Sequence, residues 1–418
     1  MTEALYFKTD DLGAAQTLLS RVRQRSTTLV EPLSSEDAML QSMEDASPAK
    51  WHLAHTTWFF EEFILRSTVK DYVSPDDRFA FLFNSYYVQA GPRHARDKRG
   101  LISRPSLQDV HAYRAHVDAS LDRLLSSGRD DLPEIAALVE LGCHHEMQHQ
   151  ELLVTDLLHG LSYNPLLPSY RSPEPLPVVQ APELEFVSHA GGLEEIGYSG
   201  DAFHYDCESP RHPTHLVPYA MANRPVTNRD WIAFIEDGGY DTQTLWLSDG
   251  WTTRQRQEWD APLYWWRQDD KWWSFTLRGA QPVALDSPVV HVSYYEADAF
   301  ARWAGARLPT EAEHEVAFRS RPIEGNFADN DAFRPLPGDG VWGDVWEWTQ
   351  STFTSYPGFR APTGAIGEYN GKFMVNQFVL RGGSCATPRA QMRPTYRTFF
   401  YPHQRWQMLG LRLAKDSK

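Results

Sequence analysis

The sequence predicts an α+β multidomain chain, a four-helix bundle followed by a mixed α/β domain with irregular strands. Three observations predict it. The 418 residues exceed the ~100–200 of one ordinary domain. Nine of the sixteen histidines precede residue 160, whereas thirteen of the fifteen tryptophans follow residue 230. Between these regions runs NPLLPSYRSPEPLPVVQAP, residues 164–182, too rich in proline for a helix or an inner strand. The bundle is therefore expected in 1–163, an extended connector in 164–182 and the second domain in 183–418.

Helical apolar spacing covers residues 11–30. Ser47-Pro48 supplies an N-cap and a first-turn proline for a second helix through WHLAHTTWFFEEFIL. Pro105-Ser106 opens a third helix, and Pro133 a fourth that Gly160 is expected to close. Four amphipathic helices with one long connection, residues 67–104, make a bundle. Beyond the connector, Gly-Gly, Asp-Gly and Pro-Gly pairs punctuate short aromatic segments. PLYWWRQDDKWWSFTL reads as a hairpin turning at Gln268-Asp269-Asp270, and TNRDWIAFIEDGG and SYYEADAFARWAGA as helices.

Composition excludes several function classes. Lys plus Arg is 40 against 55 Asp plus Glu, a net charge of −15, which repels nucleic acids and anionic membranes at long range. Three scattered cysteines make neither a disulfide framework nor a Cys-rich zinc site. No run approaches the ~18 apolar residues of a membrane span. The acidic opening MTEALYFKTDD lacks the pattern of a secretory signal, so a reduced, cytoplasmic protein is expected.

The chemistry concentrates in His144-His145-Glu146-Met147-Gln148-His149. His145 and His149 project from one helix face a turn apart, as two ligands of one metal would. The second helix adds His52 and His55, and bundle metal sites are built from facing helices. Periodicity does not choose between His52 and His55. Nor does imidazole choose between iron and a hydrolytic zinc. The connection between helices two and three carries Arg93, Arg96, Lys98 and Arg99, a local basic cluster whose guanidinium forks suit carboxylate capture. Tyr86 and Tyr87 could bring a phenol near the metal. Arg307-Leu-Pro-Thr-Glu-Ala-Glu313, Gly343-Asp-Val-Trp-Glu-Trp348 and Arg381-Gly-Gly-Ser384 read first as scaffold.

These motifs carry a resemblance. VVHVSYYEADAFARWAGARLPTEAEHE, GDVWEWT and VLRGGS…GLRLA resemble the formylglycine-generating-enzyme-like (sulfatase-modifying factor) domain, a C-type-lectin-like fold. KWHLAHTTWFFE and HEMQHQE resemble the DinB-like bundle. In this order, over nearly the whole chain, the two resemble the ergothioneine-pathway sulfoxide synthases (the EgtB family).

The resemblance implies a non-haem Fe(II) held by His55, His145 and His149. With O2 as co-substrate it implies coupling of a thiol to the imidazole C2 of hercynine (Nα-trimethylhistidine), giving a sulfoxide. It implies that Arg96 and Arg99 grip the thiol's carboxylate and that Gln148 hydrogen-bonds hercynine. Tyr86 and Tyr87 in the bundle, with Phe399 and Phe400 in the later R-x-F-F segment, match the branch associated with cysteine rather than γ-glutamylcysteine. The tyrosines are then the expected proton donors, and the phenylalanines are expected among the substrate-binding residues. Cys385 in GGSCA has no matching partner cysteine, a departure that argues against sulfatase activation. Ovothiol- or selenoneine-forming enzymes, a zinc-dependent DinB-like thiol transferase and a non-catalytic binding module are the alternatives.

Overall fold

A computed structural model describes residues 12–175, 179–363, 367 and 369–417. The acidic opening stretch and part of the proline-rich segment lie outside these residues. The chain resolves into two units. The first joins residues 1–163 to two later segments, 200–206 and 360–372, and the remainder forms the second. The first unit therefore draws on sequence that the contiguous boundary at 163 assigns elsewhere.

Four long helices build the first unit: α1 (Leu12–Val30), α2 (Ala49–Phe60), α3 (Leu107–Leu125) and α4 (Leu132–Ser162). Every residue of α2 is buried, because it packs against α3 and α4 while α1 packs on α4. An amphipathic pattern marks a helix with one wet face, and α2 has none. Gly142 makes the α2–α4 contact possible: a Cβ there would lie 2.5 Å from the Phe60 ring. The helices thus approach closely one turn before His145.

Two helix ends differ from expectation. Pro48, not Ser47, occupies the α2 N-cap, and no side chain caps it. Ser47 instead accepts a hydrogen bond at Oγ from Arg99 Nη1 at 2.9 Å. Gly160 does not close α4, which runs on to Ser162; Leu40 packs where a Gly160 side chain would stand. By contrast, Ser106 caps α3 through a reciprocal pair with Asp109. A π-helical turn, Glu61–Leu65, continues α2. Its buried Glu61 accepts hydrogen bonds from Tyr72 and Tyr113 at 2.7 and 2.5 Å.

The second unit is built of small sheets and short helices. Strands Thr398–Phe400, Phe378–Arg381, Trp346–Thr352 and Leu409–Gly410 form a four-stranded sheet in that order, with the last pair parallel. The tryptophan hairpin pairs Trp265–Gln268 with Lys271–Thr276, Gln268 opposite Lys271. Asp269 and Asp270 both hold positive φ, 49° and 59°, as the two-residue turn that matches strand twist requires.

Asn228–Glu236 and Tyr294–Trp303 are helical as expected; Ser248–Gln257 and Glu311–Phe318 are further helices. The scaffold motifs hold buried ions. Arg381 and Arg397 both bond Glu311, while Arg412 and His314 bond Glu347. Residues 170–175 of the proline-rich segment are held by hydrogen bonds within the second unit. Tyr170 and Arg171 donate their amides to Leu277 O, and Arg278 and Arg334 take the carbonyls of Ser172, Glu174 and Pro175. Among the described residues no helix is long and apolar enough to cross a membrane.

Candidate metal centre

α2 and α4 bring His55, His145 and His149 together, with one ring nitrogen from each lying within 4.8 Å of the others. His55 and His145 are buried and His149 is half-buried. His55 Nδ1 donates to the Phe83 carbonyl at 2.6 Å, so its Nε2 carries the lone pair. That Nε2, and both nitrogens of His145, are buried without a hydrogen-bond partner. Buried polar atoms are rarely left so; a metal ion held by the three converging imidazoles would take up His55 Nε2 and one nitrogen of His145.

Electrostatics favours the same state. Burial, then the neighbouring histidines, holds the His55 and His149 imidazoles well below their ordinary range. Burial also lowers His145, to about 3 despite the adjacent Glu146. All three are thus neutral, as metal ligation requires. Three neutral donors would leave a bound divalent ion its full charge and open positions for reactants. The donor set suits iron, zinc, copper and nickel alike.

Aromatic rings wall the centre. Trp51 and Trp58 stack on His55 at 4.5 and 5.5 Å, and Phe59 lies 4.5 Å from His145. Beneath it, Glu146 bonds Arg23, Arg114 and Ser26 in a buried network tying α4 to α1 and α3. Burial alone would raise its carboxyl, but Arg114 and Arg23 overrule that and hold it at about 2.

The other expected residues fall unequally. Tyr86 Oη donates to Tyr87 Oη at 3.4 Å, their rings stacked at 4.5 Å. Tyr87 is fully buried against Trp58, Phe59 and Phe63. Arg99 is buried, its guanidinium over Trp51 and its Nη groups on Ser47 and Ser85; Nε has no partner. Burial first, then Arg96, lowers it to about 9. Arg96 is exposed and bonds the Asp45 carbonyl at 2.6 Å. Phe399 stacks on Phe353 and Phe373 within the second unit, and Phe400 pairs with Phe378 in the sheet there. His144 stacks flat on Phe203 at 3.6 Å.

Sequence reasoning missed Tyr369 and Lys372. Both lie in the late segment that folds with the first unit. Tyr369 Oη donates to Gln148 Oε1, and its ring lies 5.8 Å from His145. Lys372 donates to the Tyr86 carbonyl and sits 4.7 Å from that ring's centre. No periodicity marks a loop residue that reaches back two hundred positions. The short Gly-Glu-Tyr-Asn-Gly-Lys run, residues 367–372, is the one signal available.

Comparison with known proteins agrees with this architecture. Residues 171–336 and 339–417 match the sulfatase-modifying factor enzyme 1-like domain, and residues 18–153 the DinB superfamily. The chain is 32% identical to a hercynine oxygenase of Mycolicibacterium smegmatis, covering 95% of this chain and 97% of that one. A hercynine oxygenase of Mycobacterium tuberculosis gives the same identity and coverage. A formylglycine-generating enzyme of Streptomyces coelicolor is 29% identical over 52% of this chain and 84% of its own length.

Proposed function

The chain belongs to the hercynine oxygenase family, and on that premise we propose that it is an Fe(II)- and O2-dependent sulfoxide synthase of ergothioneine biosynthesis. Its substrates are hercynine and a thiol, with cysteine favoured over γ-glutamylcysteine. The C2–H and S–H bonds break, and C2–S and S–O bonds form. One oxygen atom of O2 enters the sulfoxide and the other leaves as water. The observation that carries this reading is the three-imidazole centre, where His55 Nε2 and both His145 nitrogens are buried without a protein partner. Iron bound there supplies dioxygen activation and acidifies a bound thiol.

The chain's own residues orient the reactants. Arg99 is a buried cation whose Nε has no partner, and a substrate carboxylate supplies the missing anion. Arg96 is exposed and adds positive charge on the same short turn, Arg96–Leu101, that carries Arg99. Tyr369 holds the Gln148 amide by donating to its oxygen, and we assign the amide so held to hercynine binding. The broad faces of the surrounding aromatics suit a trimethylammonium group, which cannot donate a hydrogen bond. Tyr86 and Tyr87 form one chain of phenols, with Tyr87 the inner member that delivers a proton and Tyr86 the one that restores it. The preference for cysteine rests on this tyrosine pair.

The test is oxygen consumption by protein loaded anaerobically with iron(II). Uptake is expected only with hercynine and thiol together, with the coupled sulfoxide detected by mass spectrometry and cysteine outcompeting γ-glutamylcysteine. Stoichiometric zinc with oxygen-independent turnover, or cysteine sulfinate as sole product, would overturn the reading.

A further inference from the structure

We propose that His52 and Asp156 form a relay that sets the tautomer of His149 and so aims its Nε2 at the metal; the proposal rests on the metal-centre reading above. Asp156 Oδ2 accepts the Ser47 amide at 2.8 Å and faces His52 Nε2 at 3.2 Å. An ionised carboxylate oxygen can only accept, so against the Asp156 carboxylate His52 carries a proton on Nε2. A neutral imidazole has one donor and one acceptor, which leaves His52 Nδ1 bare. That bare nitrogen lies 2.9 Å from His149 Nδ1. With both rings neutral the contact closes in one way: His149 Nδ1–H donates to His52. The lone pair of His149 is thereby confined to Nε2.

The placement follows from helix geometry. Asp156 is two turns beyond His149 on α4, on the same face, and His52 is one turn before His55 on α2. His52 and Asp156 are both buried, and the Trp51 and His52 rings meet at 77° with their centres 5.7 Å apart, so the His52 ring has little freedom to swivel. The device differs from that at His55, where a backbone carbonyl takes the Nδ1 proton directly. A histidine between ligand and carboxylate lengthens the reach, because α4 puts no acceptor of its own within one bond of His149. Outer partners of this kind orient metal-binding imidazoles and raise their basicity, and losing one typically costs 10–100-fold in metal affinity. His52 and Asp156 are positioning residues, since neither touches a reactant.

The experiment uses the full chain stripped of metal and titrated with cobalt(II), read by its visible absorption. His52→Leu is expected to weaken cobalt binding by about 10–100-fold. His52→Gln is expected to recover most of the loss, because its amide can accept from His149 and donate to Asp156. Equal affinity for the Leu variant and the parent overturns the relay. A parent that binds no cobalt overturns the metal-centre reading itself, and the relay with it. Nitrogen-15 spectra of the metal-free parent need no substitution in the relay. They should show His149 protonated at Nδ1, with its signals identified by their loss in His149→Ala. Protonation at Nε2 instead overturns the proposal.

Discussion

The Arg99 guanidinium lies 3.5 Å above the centre of the Trp51 ring, and Trp51 in turn stacks on His55 at 4.5 Å. The same indole thus supports the cation proposed to hold the thiol's carboxylate and a ligand of the metal centre. A charge-assisted hydrogen bond contributes about 1.5–3 kcal/mol, or roughly 10–100-fold in binding. Arg99→Ala is therefore expected to raise the KM for cysteine by about that factor. With cysteamine, which lacks the carboxylate, parent and variant should behave alike. An equal loss for both thiols would show that Arg99 holds up Trp51 and grips no substrate.

The phenol pair makes a second prediction. Tyr87 is the buried inner member and Tyr86 the outer one. Tyr87→Phe removes the terminal donor, whereas Tyr86→Phe removes only the group that replenishes it. Product analysis should show the ratio of coupled sulfoxide to cysteine sulfinate falling further for Tyr87→Phe than for Tyr86→Phe. Unchanged ratios in both variants would eliminate the pair as proton donors and leave the metal centre intact.

Glu146 makes a third, on stability. It bonds Arg23, Arg114 and Ser26 with its carboxylate fully buried. Breaking a buried pair by removing one partner costs about 3–5 kcal/mol, because an uncompensated charge stays inside. Glu146→Ala strands Arg114, while Arg23 keeps Asp118 at 2.6 Å. Denaturant unfolding should register a loss toward the lower end of that range, with a smaller loss for Glu146→Gln. Since Glu146 adjoins His145, cobalt affinity should fall in the Ala variant as well.

These residues also show where sequence stops being legible. The i, i+4 histidines, the start of α3 at Ser106 and the hairpin turn are local, and local spacing reveals them. His55 could not be told from His52 by periodicity because α2 is buried on every side, which erases the stripe that would separate them. Ser47 reads as a cap, yet its hydroxyl serves Arg99 from 52 positions away. Tyr369 and Gln148 meet across 221 positions, a pairing that topology alone creates. The order of the domain motifs reached further than any single residue, since it pointed to the family before any distance was known.

The last prediction concerns pH and lies far from the histidines. Asp344 is buried at a φ of 58°. Burial lifts its carboxyl from the ordinary 3.8 to about 6, against the hydrogen bonds it accepts from Leu336 N and Asn326 Nδ2. The sign follows from proton counting. Between pH about 4 and about 6 the folded chain keeps a proton that the unfolded chain has released, so stability falls as pH rises through this window and then levels off. Asparagine accepts the same two hydrogen bonds, tolerates left-handed backbone and carries no charge to bury. Asp344→Asn should therefore abolish that step and stabilise the protein above pH 6 by about 3 kcal/mol, the free-energy equivalent of the shift. Denaturant unfolding of parent and variant across pH 4–8 measures both effects. Parallel stability profiles would mean that Asp344 ionises in the fold at no cost.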